Sequence, residues 1–293
     1  MKEIVIISGK GGTGKTSITA SFAALAKGKA VVADCDVDAA DLHLILEPHI
    51  LQQSGFFSGH TAAIRRESCT GCGECERLCR FGAPGFDGTD GTFVIDPVAC
   101  EGCGVCVRFC PAAAVDFTEN RSGDWYVSKT RFGTMVHAKL GVAAENSGRL
   151  VTLVRSEAQR IARQQQAEYV LIDGSPGIGC PVIASLTAAS LAFVIAEPTV
   201  SGVHDLRRIA GLAKQLGVPV MVGVNKWDIN PEKNGEIRDF TRSAGLGFAG
   251  TVRYDRAFTD AQRAGRAVVE FGTGGVAEDI VALWLQVQRY LDG

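Results

Sequence analysis

The sequence predicts an α/β protein built on a doubly wound, mostly parallel sheet, with a small cysteine-rich α+β segment inserted into it. Three observations carry that expectation. Short β-branched runs alternate with helix-like stretches in both flanks of the chain, as in parallel sheets covered on both faces. From about residue 55 to 117, glycines and cysteines replace any long apolar periodicity. The chain has 293 residues, 46% of them apolar and 21% charged, which suits one large globular domain or a large one plus a small one.

Taken in order, residues 4–7 form a β-branched run expected to be a buried strand, and a glycine-rich turn leads into a helix over 16–26. Residues 30–33 read as a second strand. After the cysteine-rich stretch, 150–154 (Leu-Val-Thr-Leu-Val) reads as a strand. A helix over 156–167 follows, opened by a capping box of Ser156 and Gln159. Residues 169–173, 191–196 and 218–224 are further buried strands, with an amphipathic helix over 201–216 between the last two. The final stretch, 277–291, places Ile280, Val281, Trp284, Leu285 and Val287 at helical spacing. Its only basic residue is Arg289, so core packing suits it better than membrane contact.

The formal charge of −2 gives no basic excess for nucleic acid. The first eight residues turn polar too soon for a signal peptide, and no apolar run approaches a membrane span of about 20 residues. The expected compartment is the cytoplasm, without membrane insertion. There, paired thiols more often bind metal than form disulfides.

Gly9-Lys10-Gly11-Gly12-Thr13-Gly14-Lys15-Thr16 satisfies G-x-x-x-x-G-K-T between an expected strand and an expected helix, the context that gives this phosphate-binding motif its meaning. The glycines let backbone N–H groups face phosphates, and the helix start around Thr16 and Ser17 favours an anion. Lys15 should reach the β- and γ-phosphates, and the Thr16 hydroxyl should ligate Mg²⁺.

The second lysine, Lys10, makes this a deviant Walker A sequence. Here the chain resembles the MinD/Mrp/nitrogenase iron protein branch of P-loop proteins. The resemblance implies that Lys10 reaches the nucleotide of a facing subunit and stabilises transition-state charge in trans. The segment Asp34-Cys35-Asp36 and Asp38 resembles switch I, with Asp36 positioning the attacking water or a Mg²⁺-bound water; Asp38 and Asp41 are weaker candidates. Tyr169 to Asp173, followed by Gly174-Ser175-Pro176-Gly177, resembles Walker B plus switch II, with Asp173 in the Mg²⁺ shell and Gly177 sensing the γ-phosphate. Asn225-Lys226-Trp227-Asp228 fits N-K-x-D. In GTPases the Asp of that motif reads guanine, whereas in the MinD branch the Asn contacts adenine. The motif alone leaves the base open, and Lys10 favours ATP.

The insert contains a repeat. Cys69, Cys72, Cys75 and Cys79 recur 31 positions later as Cys100, Cys103, Cys106 and Cys110. Each set has the spacing C-x₂-C-x₂-C-x₃-C of bacterial two-cluster ferredoxins, in which the fourth cysteine serves the other cluster. One 4Fe–4S cluster would use Cys69, Cys72, Cys75 and Cys110, and the second Cys100, Cys103, Cys106 and Cys79. Zinc fits poorly, because zinc sites usually show paired C-x₂-C units and end at four ligands. Pro111 follows the second set as in ferredoxins, but Arg80 follows the first. Cys35 reads as a small buried residue. Cys180 lies seven positions after Asp173, the offset at which the nitrogenase iron protein binds a shared cluster, but no other cysteine lies between 110 and 180. Burial before Pro181 is the plainer reading.

Together these features resemble MinD-superfamily ATPases with an inserted ferredoxin domain. The resemblance divides the chain into residues 1–57 and 119–293 of a P-loop ATPase domain and a ferredoxin-like insert over 58–118. It implies slow, partner-stimulated ATP hydrolysis with Mg²⁺, in a homodimer or in a heterodimer with a similar subunit. Three functions compete. The first is nucleotide-gated electron transfer to a redox partner. The second is delivery of clusters to client proteins like the Mrp proteins, whose C-P-x-C pair is incomplete here at Cys180-Pro181-Val182-Ile183. The third is a MinD- or ParA-like positioning role with the clusters as redox sensor.

Overall fold

The computed structural model describes residues 1–37, 39–141, 147–272 and 274–293; Asp38 therefore lies outside the described residues. The strands are β1 (Lys2–Ser8), β2 (Ala30–Cys35), β3 (His49–Ile64), β4 (Pro84–Asp87), β5 (Thr92–Ile95), β6 (Val115–Thr130), β7 (Gly133–Leu140), β8 (Tyr169–Gly174), β9 (Leu191–Ala196), β10 (Val220–Asn225) and β11 (Gly247–Val252). The chain forms two compact units. One runs Met1–Ser54 and resumes at Asp124; the other is Gly55–Gly123.

The larger unit is organised by a sheet of order β11-β10-β9-β1-β8-β2-β7, which continues with β6 and β3, the strands through which the chain leaves and re-enters this unit. The pairs β10–β11, β9–β10, β1–β9, β1–β8, β2–β8 and β2–β7 are parallel. Ile4, Val5, Ile6 and Ile7 of β1 are fully buried, as a strand covered by helices on both faces requires. From β1 the chain crosses to β2 on one side, and from β8 it crosses to β9 on the other. The carboxyl ends of β1, β8 and β2 thus meet where the winding reverses, the usual ligand crevice of open α/β sheets.

Helices cover the sheet. The helix Lys15–Leu25 buries Ile18, Phe22 and Ala23. Phe22 packs against Phe193 of β9 and Trp284 of the last helix, Val276–Asp292, with ring centroids 5.5 and 5.0 Å apart. That last helix buries Val276, Ile280, Leu283, Trp284 and Val287, whereas Leu285 points outward. Its apolar stripe is core, as its polar face indicates.

Residues 150–154 are not a strand. They lie inside the helix Ser147–Gln164, whose buried face is Leu150, Val151, Val154, Arg155, Ala158, Ile161 and Ala162. A strand would place Thr152 beside Leu150 and Val154 on one face, but Thr152 is exposed and the other two are buried. Positions spaced three and four apart share the buried face, so the helical period wins over the β-branched composition. The capping box fails with it. Ser156 is an exposed mid-helix residue, and Gln159 donates from Nε2 to Glu3 Oε1 (2.6 Å). Arg155 donates from Nε and Nη2 to Glu3 Oε2 (2.9 and 2.6 Å), and from Nη1 to the carbonyls of Ala184 and Thr187. This buried fork ties the helix to β1.

The smaller unit is built on the repeat. The short helices Glu74–Leu78 and Val105–Phe109 each start from a left-handed glycine, Gly73 (φ 75°) and Gly104 (φ 72°), 31 residues apart like the cysteines. Backbone bonds follow the same shift. Arg65 N–H donates to the Ala114 carbonyl and Asp96 N–H to the Ala83 carbonyl, both at 2.8 Å. Adding 31 to 65 gives 96, and subtracting 31 from 114 gives 83, so each half bonds the other in the same way. β4 and β5 form an antiparallel hairpin. Ala62, Ala83, Ile95 and Val115 make the small core, with Cys79, Cys100, Cys106 and Cys110 packed against it.

Replacing Arg155 by Met strips Glu3 of its buried partner. It should lower stability by about 3 kcal/mol, read as a shift of the urea midpoint at unchanged slope.

Candidate functional site

The loop between β1 and the helix Lys15–Leu25 forms one wall of a cavity of about 460 Å³. Lys10, Thr13, Lys15, Asp36, Asn225 and Phe258 contribute to its lining. Gly12 (φ 79°) and Gly14 (φ 87°) hold left-handed backbone that turns the loop. A Cβ on Gly14 would sit 2.5 Å from Asn225 Nδ2 and 3.2 Å from the Phe258 ring. That position therefore demands glycine on two counts, backbone and space.

The polar floor is a buried cluster. Lys15 Nζ lies 3.0 Å from Asp173 Oδ1 and 3.2 Å from Asp36 Oδ2. Thr16 Oγ1 donates to Asp173 Oδ2 (2.8 Å), and Thr19 Oγ1 to Asp173 Oδ1 (3.0 Å). Burial works against the Lys15 charge, but Asp173 and Asp36 outweigh it and raise the ammonium's pKa. Asp34, paired in register with Asp173 across β2 and β8, goes the other way. Burial, and then the charge of Asp173, push its carboxyl well above the usual range. Its Oδ1 accepts the Asp36 N–H (3.1 Å), while its Oδ2, like Thr13 Oγ1, is buried with no hydrogen-bond partner among the described residues. A loop of turned amides, an ammonium between two carboxylates, a hydroxyl beside one of them and unsatisfied polar atoms together suit a magnesium-bound phosphate ester.

The structure brings Lys15, Thr16, Asp36 and Asp173 together, with Gly9 to Ser17 as the cradle. Gly177 N–H donates to the Ser8 carbonyl (3.0 Å), which places the 174–177 segment beside β1. Asn225 holds the loop: Nδ2 donates to the Thr13 carbonyl (2.8 Å) and Oδ1 accepts the Lys226 N–H (2.9 Å). Asp228 is exposed, and its Oδ1 accepts the Tyr254 N–H (2.7 Å). It braces the 253–255 segment that lines the cavity. Lys10 is turned within its own chain onto Glu197 Oε2 (2.9 Å). Glu197, Lys226, Thr19 and Phe258 are contributors that motif reading missed. Lys226 stood inside the N-K-x-D motif and Thr19 one helical turn after Lys15, whereas nothing in the sequence pointed to Glu197 or Phe258.

In the smaller unit, the eight repeated cysteines partition between two small cavities. Cys69, Cys72, Cys75 and Cys110 line one, and Cys79, Cys100, Cys103 and Cys106 line the other. All eight are free thiols. Gly71 and Gly102 are left-handed, and a Cβ on either would fall within 2.5 and 2.2 Å of the carbonyl oxygens of Gly91 and His60, themselves 31 residues apart. The Ala114 N–H donates to Cys110 Sγ (3.3 Å). Burial raises the thiol pKa of Cys75 and of Cys106, the same position in each set. Three thiols from one loop and a fourth from the other half suit a polynuclear iron–sulfur group. Among the described residues, no three or more His, Cys, Asp or Glu side chains converge on a single-ion site.

Of the remaining cysteines, Cys35 is buried as expected, and burial pushes its thiol far up. Cys180 is exposed rather than buried. It is the first residue of the helix Cys180–Leu186, with proline in the first turn. The first turn of this helix faces outward, and burial begins only at Val182.

A parallel sheet with this loop at its winding reversal defines a P-loop nucleotide-binding protein. The chain belongs to the CobQ/CobB/MinD/ParA nucleotide-binding domain family, whose model matches residues 4–268. It is 34% identical over 230 residues to the uncharacterized protein MJ0578 of Methanocaldococcus jannaschii, covering 78% of this chain and 79% of that one. Among solved structures it is similar to the septum site-determining protein MinD complexed with Mg-ADP from Pyrococcus horikoshii (TM-score 0.60, 15% identity, 99% of this chain and 96% of that chain). It is similar also to the cell division ATPase MinD of Pyrococcus furiosus (TM-score 0.59, 15% identity, 99% of both chains). Among the described residues no helix is long and apolar enough to cross a membrane.

Gly14→Ala should weaken Mg-nucleotide binding at least about tenfold, from backbone strain of about 1–3 kcal/mol and displacement of Asn225. Titration calorimetry with Mg-ADP checks it.

Proposed function

We propose that this chain is an ATP-hydrolysing iron–sulfur protein in which the nucleotide state of a dimer gates electron transfer through two 4Fe–4S clusters to a partner protein. The observation that carries this reading is the 3 + 1 partition of the eight cysteines into two cavities, with the halves exchanging their fourth thiol. Cys69, Cys72, Cys75 and Cys110 would hold one cluster, and Cys100, Cys103, Cys106 and Cys79 the other, each supplying one-electron chemistry. The Mg-ADP held by the Pyrococcus horikoshii MinD supports a magnesium nucleotide in the larger unit.

The chain's own residues would divide the hydrolytic work. The loop amides from Gly11 to Thr16 cradle the β- and γ-phosphates, and Lys15 lies against them. Thr16 and Asp173 hold the Mg²⁺ shell, and their existing bond of 2.8 Å shows how near they stand. Asp36 orients the attacking water and accepts its proton. Lys10 of one copy reaches the nucleotide of the other. Gly177, bonded to Ser8 at the end of β1, would report the γ-phosphate to the switch II segment. ATP is the nucleotide this reading favours, on the deviant Walker A sequence with Lys10.

One observation favours a second reading, cluster delivery to apo-proteins. Cys180 is exposed at the head of its helix, where a transferable cluster between subunits would need it. Rapid loss of iron to an apo-acceptor would favour that reading.

The anaerobically purified chain should carry about eight iron atoms. Cys110→Ser should perturb the same EPR signal as Cys72→Ser, and Cys79→Ser the same signal as Cys103→Ser; any other grouping defeats the assignment. EPR redox titrations without nucleotide, with Mg-ADP and with a non-hydrolysable ATP analogue test the coupling. A shift of about 30 mV or more (about 0.7 kcal/mol for one electron) is expected. Potentials and partner affinity that both ignore nucleotide would rule gating out.

A further inference from the structure

Lys10 is assigned a target on another chain, yet within the single chain it is already engaged. Its ammonium lies 2.9 Å from Glu197 Oε2, and the other carboxylate oxygen, Oε1, accepts from Lys226 Nζ. Lys226 Nζ also donates to the Gly12 carbonyl (3.0 Å). Glu197 follows directly on β9, and its side chain is 9% exposed, against 38% for Lys10. Burial works against the ionised carboxylate, but Lys226 and Lys10 outweigh it and hold its pKa below the usual range. One buried carboxylate is thus shared by two ammonium groups.

The sharing decides which lysine is free to leave. Removing the sole partner of a buried charge is costly. Here Lys226 stays, pinned by the Gly12 carbonyl, so Glu197 remains compensated when Lys10 departs. The backbone beneath Lys10 is fixed as well. A Cβ on Gly9 would fall 2.1 Å from Asp205 Cβ, and Ser8 Oγ donates to the Lys10 carbonyl (2.8 Å). The partly exposed side chain is the part that can swing.

We infer that Glu197 is a positioning residue that parks Lys10 within its own chain, and that Lys226 keeps the carboxylate compensated when a second copy carrying Mg-ATP draws Lys10 across. This rests on the reading of Lys10 as a lysine acting in trans. Parking opposes dimerisation, because each chain must give up the Lys10–Glu197 pair before Lys10 engages its partner's nucleotide. With Lys10 38% exposed and Glu197 kept compensated by Lys226, the pair is a weak brake, consistent with a contact made to be broken.

The test uses the full chain with Mg²⁺ and a non-hydrolysable ATP analogue, with dimer dissociation measured by sedimentation velocity. Glu197→Gln should tighten the dimer about two- to fivefold, and the same substitution in a Lys10→Ala background should change nothing, which a merely structural role of Glu197 would not predict. Glu197→Asp withdraws the carboxylate by one methylene and keeps a charge for Lys226. It should act in the same direction, and it serves where the Gln variant folds poorly. A Glu197 variant that dimerises as wild type does, or one with the same effect in the Lys10→Ala background, overturns the parking role alone. A wild-type chain that stays monomeric with the analogue overturns the trans reading of Lys10 and the parking role with it.

Discussion

The ammonium of Lys15 between Asp173 and Asp36 is the interaction around which the larger unit is arranged. Parallel pairing of β2 and β8 sets Asp34 directly beside Asp173, and both are almost completely buried. Two like charges at adjacent buried positions are unfavourable. The strain is relieved in two ways. Lys15 enters from the first turn of its helix and compensates Asp173, and burial pushes the Asp34 carboxyl towards its neutral form. The hydroxyls of Thr16 and Thr19 supply two of the hydrogen bonds that a buried carboxylate needs. The result is a compact set of donors and acceptors at the end of the sheet.

The glycine loop follows from that placement. Lys15 opens its helix directly after Gly14, so the preceding chain must turn sharply from β1, and left-handed Gly12 and Gly14 make the turn. Asn225, at the end of β10, then secures the loop through the Thr13 carbonyl. The residues holding the loop come from strands on both sides of β1, which explains why an open parallel sheet is the scaffold for it.

The smaller unit solves a different problem. Among its described residues, Ala62, Ala83, Ile95 and Val115 form the core cluster, and Phe56, Phe93 and Ala114 are the other buried apolar side chains, a small core for about 70 residues. Reciprocal backbone bonds at positions 31 apart, and thiols exchanged between the halves, make each half depend on the other. A bound group that bridges the thiols would add the cohesion that apolar burial does not provide.

Much was legible in the chain itself. Continuous β-branched and apolar runs located β1, β2, β8, β9 and β10, because strands buried on both faces leave little compositional choice. The G-x-x-x-x-G-K-T loop and the 31-residue repeat were readable because each depends on glycine geometry or thiol spacing that few other residues meet. Residues 150–154 misled, since Leu-Val-Thr-Leu-Val satisfies strand and helix alike over five positions and only the burial of Leu150, Val154 and Ala158 on one face separates them. Cys180 misled because exposure at a helix start is a property of the surroundings. The engagement of Lys10 with Glu197, of Asp228 with Tyr254 and of Asn225 with Thr13 was decided only by the tertiary structure. Each joins residues from separate strands and loops, and no local pattern encodes which side chains a parallel sheet will bring to its carboxyl edge.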